Sequence, residues 1–124
     1  MAKIVHFEIP ADDTSRAREF WTDLFGIQWQ TYEGPVEYHV FSNEDQTGGG
    51  LMPRQPGQDG LVVYFAVDDI DAAREKVKEL GGSAEAKQPV PGQGWFAPAT
   101  DTEGNRFSFW QPDENAPMPE GQQG

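Results

Sequence analysis

The sequence predicts an α+β fold made of two copies of one β-α-β-β-β unit. Three observations carry this reading. Two strand-like stretches, the alternating residues 3–9 and the continuous apolar run 61–67, each lead into an amphipathic helix pattern, residues 14–25 and 70–80. Both helix patterns open on a pair of aspartates and close on glycine, the residue types that cap those ends. A shift of 56 residues lays Asp12, Asp13, Ala17, Arg18, Glu19, Leu24 and Gly26 on Asp68, Asp69, Ala73, Arg74, Glu75, Leu80 and Gly82. That is seven identities in the fifteen positions 12–26, against about one by chance. The matches at solvent-side positions (Arg18/Arg74, Glu19/Glu75) argue for duplication rather than for two helices that merely look alike.

In the first strand, Val5, Phe7 and Ile9 share one face, and Ile4, His6 and Glu8 share the other. Pro10 is expected to end it. Asp12 or Asp13 then caps a helix whose apolar stripe is Ala17, Phe20, Trp21, Leu24 and Phe25. Strands are expected at 27–33, 36–42 and 50–53. Gln55–Gly60 consists of turn formers and reads as a linker. The second half repeats the order: a strand at 61–67, a helix capped by Asp68 or Asp69 with Ile70, Ala73, Val77 and Leu80 inward, then strands near 83–87, 94–99 and 106–111. The turn Asp101–Asn105 feeds the last of these. The chain therefore reads as one domain over 1–112, with modules at about 3–54 and 61–111, and a disordered acidic tail over 113–124, where periodicity is lost.

Composition narrows the partners. The 124 residues carry 21 acidic and 9 basic side chains, a net charge of −12. Such a surface repels phosphate backbones and anionic membranes, so neither nucleic acid nor a membrane is expected as a partner. Apolar residues are only 36 %, but eight Phe, four Trp and three Tyr bury much area per residue, enough for one core. No apolar run reaches the length of a membrane span. The absence of cysteine and of a leader-like start suits a cytoplasmic protein.

Several segments together resemble the glyoxalase/bleomycin-resistance/dioxygenase (vicinal oxygen chelate) superfamily. They are Val5-His6-Phe7-Glu8-Ile9-Pro10-Ala11-Asp12-Asp13, Glu19-Phe20-Trp21 before Leu24-Phe25-Gly26, Val67-Asp68-Asp69-Ile70, Leu80-Gly81-Gly82 and Asp101–Phe107. Gly49-Gly50-Leu51-Met52-Pro53 points to the small bacterial lactoylglutathione-lyase-related members. The resemblance covers residues 3–111. It implies a curled, half-open sheet with a concave cleft and outer helices, and it is compatible with a homodimer.

Strand alternation orients the faces. Val5/Phe7/Ile9, Val63/Phe65/Val67 and Phe107/Phe109 must meet the helix stripes, which leaves His6, Glu8, Val62, Tyr64, Arg106, Ser108 and Trp110 on the other side. Mixed polar and aromatic groups on one sheet face describe a ligand pocket. Tyr38, Met52, Tyr64, Trp95, Ser108 and Trp110 are the candidate ligand contacts. His6 and Glu8, two apart on one strand face, form the candidate acid/base pair.

Metal-using members of the superfamily place four ligands at inward strand positions. Carried over singly, these positions fall on His6, on Leu51 or Met52, on Val62 and on Ser108. Only His6 is a proper ligand type, so no metal and no other cofactor is expected. His39 is a further histidine whose facing depends on the strand register. The functional expectation is binding of a small organic molecule in an aromatic cleft. The alternative is a lyase, isomerase or dioxygenase acting on a small oxygenated metabolite, with His6 and Glu8 as acid and base or with a non-standard metal site.

Overall fold

The computed structural model describes residues 3–34, 36–45 and 47–118. The chain divides into two compact units, Val5–Val62 and the residues from Val63 onward together with Lys3 and Ile4. The elements are β1 (Lys3–Ala11), α1 (Thr14–Phe25), β2 (Gln30–Tyr32), β3 (Tyr38–Ser42), β4 (Gly48–Pro53), β5 (Val62–Ala66), α2 (Ile70–Glu79), β6 (Ser83–Ala84), β7 (Gln88–Val90), β8 (Gly94–Thr100) and β9 (Arg106–Pro112). The fold is α+β, as the repeat predicts.

Each unit shows the same internal order. In the first, the strands run β2-β3-β4-β1; in the second, β6-β8-β9-β5. The first strand of each module pairs in parallel with its last (β1 with β4, β5 with β9), and the remaining pairs are antiparallel. The helices match at their starts as well. Asp13 and Asp69 both adopt extended backbone (φ −130°, ψ 100° and φ −137°, ψ 99°), and each carboxylate accepts from the amide three residues on, Arg16 and Ala72 at 3.0 Å. One donor left over at each helix start is thereby satisfied. The ends differ by one residue. Gly26 takes the left-handed φ of 71° after α1, whereas Gly81 (φ 98°) does so after α2, with Gly82 closing onto Val77 O at 2.9 Å.

Three local expectations are corrected. Pro10 does not end β1, which runs to Ala11. The predicted strand 83–87 is strand only over Ser83–Ala84, and β7 (Gln88–Val90) resumes the pairing with β8 beyond it, because Glu85–Lys87, three residues, stand against two, Ala97 and Pro98. One extra residue makes a bulge, and Pro98 has no N–H for the interrupted ladder. Beyond Pro112, Asp113–Ala116 are held rather than loose: Asp113 N donates to Gln93 O at 2.9 Å, Gly92 N donates to Ala116 O at 3.0 Å, and Ala116 is buried. Residues 119–124 of the expected tail lie outside the described residues.

The first unit's core is Ile9, Ala11 and Leu51, with Phe7, Ala17, Trp21 and Trp29 packed against it. This is the face that alternation assigns to the helix stripe. β4 is buried through four consecutive residues, Gly48–Leu51, and three of them lack a side chain because neighbours fill that space. A Cβ on Gly49 would stand 2.9 Å from the rings of Phe7 and Phe41. A Cβ on Gly50 would meet the Tyr38 hydroxyl and lie 2.5–2.6 Å from Tyr38 ring carbons. The Tyr38 ring thus lies across Gly50. In the second unit Ile70, Ala97 and Ala99 are buried, and Phe107 packs edge-on to both Phe65 (5.9 Å) and Phe109 (5.3 Å).

The turn before β9 is tied by one carboxylate. Asp101 accepts from Glu103 N (2.8 Å), Asn105 N (2.9 Å) and Asn105 Nδ2 (3.0 Å). The Asn105 side-chain bond, followed by the backbone donors, holds the Asp101 carboxyl below the ordinary range. A depressed carboxylate stabilises the fold above its unfolded pKa, and that contribution disappears as pH falls through the folded value. Melting Asp101→Ala against wild type at pH 7 and again near pH 3 should therefore show a clear deficit at neutral pH that shrinks in acid. Separately, Gly50→Ala should destabilise the fold by roughly 1–3 kcal/mol in urea unfolding, the range for overpacking a filled site. An alanine accepted there at no cost would contradict the placement of Tyr38.

Candidate functional site

His6 and Glu8 are neighbouring positions on one face of β1, opposite Phe7 and Ile9. Gly50 of β4 is in register with Glu8, and Val40 of β3 is in register with Gly50. Tyr38, two residues earlier on β3, shares the side of Val40 and reaches across β4 toward β1. Its hydroxyl donates to Glu8 Oε2 at 2.6 Å. His6 Nε2 lies 3.1 Å from the Tyr38 oxygen and 3.3 Å from Glu8 Oε2. The side chains of His6 and Glu8 are 29 % and 13 % exposed, so the group is half sheltered but reachable.

Tyr38's proton goes to Glu8, and in its Nε2-protonated tautomer His6 donates toward the same two oxygens. The carboxylate is thus held by a phenol and an imidazole. Burying most of a carboxylate costs several kcal/mol. Hydrogen bonds to a charged group, worth roughly 1.5–3 kcal/mol each, offset that cost. The sequence brings two of these residues together by their i, i+2 spacing. The sequence offers Tyr38 only as a ligand contact. Its bond to Glu8 depends on the β1-β4-β3 order, and the signal that could have found it is the glycine run of β4, where Gly50 leaves room for a ring.

His39 does not join this group. As Tyr38's neighbour on β3 it takes the opposite face, in register with Leu51, and is 1 % exposed. Thr31 Oγ1 lies 2.7 Å from its Nδ1, and Glu37 Oε2 lies 3.2 Å from its Nε2 without hydrogen-bond geometry, which leaves Nε2 buried and unsatisfied. Glu37 also accepts from Thr14 Oγ1 at 2.6 Å. That bond first, then His39 and Arg18, holds the Glu37 carboxyl below its usual range. This link between the start of α1 and β3 was not visible in the sequence, because its members lie on three elements.

Met52 falls on the same side of β4 as Gly50, half-buried, while Leu51 is fully buried in the core. In the second unit Tyr64 is in register with Ser108. Ser108 is 1 % exposed, and its hydroxyl donates to Phe109 O at 3.4 Å. The Trp110 ring lies over Gly94, where a Cβ would come within 2.7 Å of it. Trp95 is fixed by neighbours: its Nε1 donates to Asp113 Oδ2 at 3.0 Å, and Lys87 Nζ sits 4.6 Å from its ring centre. The Trp95 bond is the first cause of a lowered Asp113 carboxyl pKa.

The four positions that correspond to the superfamily's metal ligands do not make a donor set for a divalent ion. His6 Nε2 is turned to Glu8 and Tyr38. Met52 offers a thioether, Val62 only carbon, and Ser108 a buried hydroxyl bonded to the backbone. Among the described residues no three His, Cys, Asp or Glu side chains gather to hold a metal ion. Nor, among them, is any helix long and apolar enough to cross a membrane.

A protein of Mycobacterium tuberculosis named "Putative glyoxylase CFP32" is 34 % identical over 110 residues, covering 85 % of this chain and 42 % of that protein. The anthracycline biosynthesis protein DnrV of Streptomyces peucetius is 28 % identical over 124 residues, covering 85 % of this chain and 45 % of that protein. The chain thus spans less than half the length of these relatives. Among solved structures, the hypothetical protein BH1468 of Bacillus halodurans superposes with a TM-score of 0.70 at 17 % identity, over 94 % of this chain and 99 % of that one. Methylmalonyl-CoA epimerase of Mycobacterium tuberculosis does so at 0.67 and 15 %, over 89 % and 87 %. At those identities the likeness is one of fold. The family model for the Glyoxalase/Bleomycin resistance protein/Dioxygenase superfamily matches residues 3–109, and the chain belongs to that superfamily.

Proposed function

We propose that the protein binds a small organic molecule at the His6–Glu8–Tyr38 group, without the divalent metal that other members of the superfamily use. The observation that supports this most is the 2.6 Å bond from Tyr38 to a largely buried Glu8, with His6 beside both. A binding site needs a few fixed polar groups to orient a ligand against apolar surface. Here the polar groups are fixed by one another, and Met52 adds a half-buried apolar neighbour on the same side of β4. The donor set argues for an organic ligand over an ion.

Charge narrows the ligand class. A net charge of −12 disfavours highly anionic ligands such as acyl-CoA esters and favours neutral or cationic ones. One relative is named for anthracycline biosynthesis, and anthracyclines are planar and carry an amine. A planar, cationic molecule is the class we assign. The cysteine-free, acidic composition suits action in the cytoplasm.

One observation favours a second reading, proton-transfer catalysis on a small oxygenated metabolite. The set His6 Nε2, Tyr38 oxygen and Glu8 carboxylate forms a short relay at 3.1 and 2.6 Å, the spacing general acid/base chemistry needs.

An anthracycline titrated against tryptophan fluorescence should bind wild type, and Tyr38→Phe should bind about tenfold more weakly, as expected for losing one hydrogen bond at a charged group. Equal affinity in the two proteins would remove the group from the binding site. Elemental analysis of protein purified without chelator should find divalent metal well below stoichiometric. One ion per chain would overturn the metal-free reading. In D2O, methylmalonyl-CoA should take up no deuterium beyond the uncatalysed background, whereas uptake abolished by His6→Ala would establish the catalytic alternative.

A further inference from the structure

A groove of about 380 Å³ opens where β1 ends and α1 begins, wholly within the first unit. That volume lies in the range of small-molecule sites. Buried Ile9 and Ala11 line it from the strand. Trp21, packed on the core, and Phe20, 58 % exposed and edge-on to Trp21 at 5.4 Å, line it from the helix. Two alanines, Ala11 of β1 and Ala17 of α1, leave room that larger side chains would fill. Ile9 and Ala11 lie on the core face of β1, so the groove and the His6–Glu8 pair take opposite faces of that strand.

The rim carries two acidic and two basic residues, so it is locally neutral although the chain carries −12. Arg54 is engaged throughout. Its Nε donates to Asp12 Oδ1 at 2.9 Å, Nη1 to Gln58 O at 2.8 Å and Nη2 to Pro10 O at 3.5 Å. Asp13 commits Oδ1 to Arg16 N at 3.0 Å as the helix cap. What remains open has both signs. The Arg16 guanidinium has no ion pair among the described residues. The second carboxylate oxygens of Asp12 and Asp13 have no hydrogen-bond partner among them. Asp13 and Arg16 are three residues apart and Arg16 and Phe20 four, so each pair is a pair of neighbours on the helix surface.

These groups select a ligand. A lone anion would meet two open carboxylates, and a lone cation would meet an open guanidinium. A zwitterion with an apolar tail satisfies both signs and covers the aromatic wall. We infer that the groove binds a free α-amino acid with an aromatic side chain. Its carboxylate pairs with Arg16, its ammonium with Asp12 and Asp13, and its ring packs on Phe20 and Trp21. Such a ligand has no net charge, so the acidic chain does not repel it. The site shares no residue with the His6 group and does not rest on the small-molecule reading there.

NMR titration of the nitrogen-15-labelled full chain with L-phenylalanine tests this. Amides of residues 12–17 should shift saturably, with Kd on the order of 1 mM, the strength a ligand of that size reaches at ordinary efficiency. Two analogues that each lack one charge, 3-phenylpropionate and phenethylamine, should bind wild type at least about tenfold more weakly. Arg16→Ala should weaken phenylalanine about tenfold or more with an unchanged far-UV circular dichroism spectrum. The helix tolerates that change, because the 56-residue shift puts Ala72 at the same position of α2. No saturable shift up to about 20 mM, as when another protein or a second copy covers the groove, overturns the proposal. So does an analogue that binds as tightly as phenylalanine, or an Arg16→Ala protein that binds it as wild type does. Shifts at His6, Glu8 and Tyr38 with none over 12–17 would assign the ligand to the other face and overturn it as well.

Discussion

The carboxylate of Glu8 is the constraint on which the candidate site depends. It lies on the strand shared by the parallel β1–β4 pair, largely withdrawn from water, and two donors from different positions hold it. One of them, Tyr38, reaches it only because β4 has no side chain at Gly50. The fold therefore links three otherwise unrelated facts: a glycine run in a buried strand, a tyrosine two strands away, and a His-x-Glu spacing at the start of the chain. Remove the glycine and the ring must move; remove the ring and the carboxylate keeps only the imidazole among the partners described above.

The duplication explains why the two halves share a frame and not a chemistry. Cap, helix, strand order and parallel closing pair recur in both units. The residues on that frame have diverged. Position 6 is histidine where its counterpart, 62, is valine; position 50 is glycine where 106 is arginine; position 20 is phenylalanine where 76 is lysine. The candidate polar group, His6, Glu8 and Tyr38, lies in the first unit. In the second, two aromatic residues are locked by neighbours, Trp110 over Gly94 and Trp95 between Lys87 and Asp113. Superfamily membership fixes the frame, and the residues carried on it differ between the halves.

Much of the fold was legible because it is encoded locally. Asp13 and Asp69 announce the helix starts, the alternation of Val5/Phe7/Ile9 announces the inner face, and the 56-residue shift announces the repeat. What was missed depended on contacts remote in sequence. The bulge at Glu85–Lys87 reflects the count of residues on β8, which no window over 83–87 contains. The ordering of Asp113–Ala116 comes from Gly92, Gln93 and Trp95, not from any periodicity of its own. The helix stripe is apolar as its spacing indicates, but apolar spacing does not set burial, and Phe20, Leu24 and Phe25 are more than half exposed. At the site, i, i+2 spacing placed His6 beside Glu8, while the register that excludes His39 and admits Tyr38 could not be read from β3 alone.

The central claim is that Glu8 accepts from both Tyr38 and His6, which obliges His6 to carry its proton on Nε2. Long-range proton–nitrogen NMR of the histidine side chains reads that tautomer directly. The account predicts an Nε2-protonated His6 in wild type at neutral pH, with an Nε2 resonance that shifts in Tyr38→Phe. A neutral His6 protonated on Nδ1, with Nε2 as a bare lone pair facing Glu8, would contradict it.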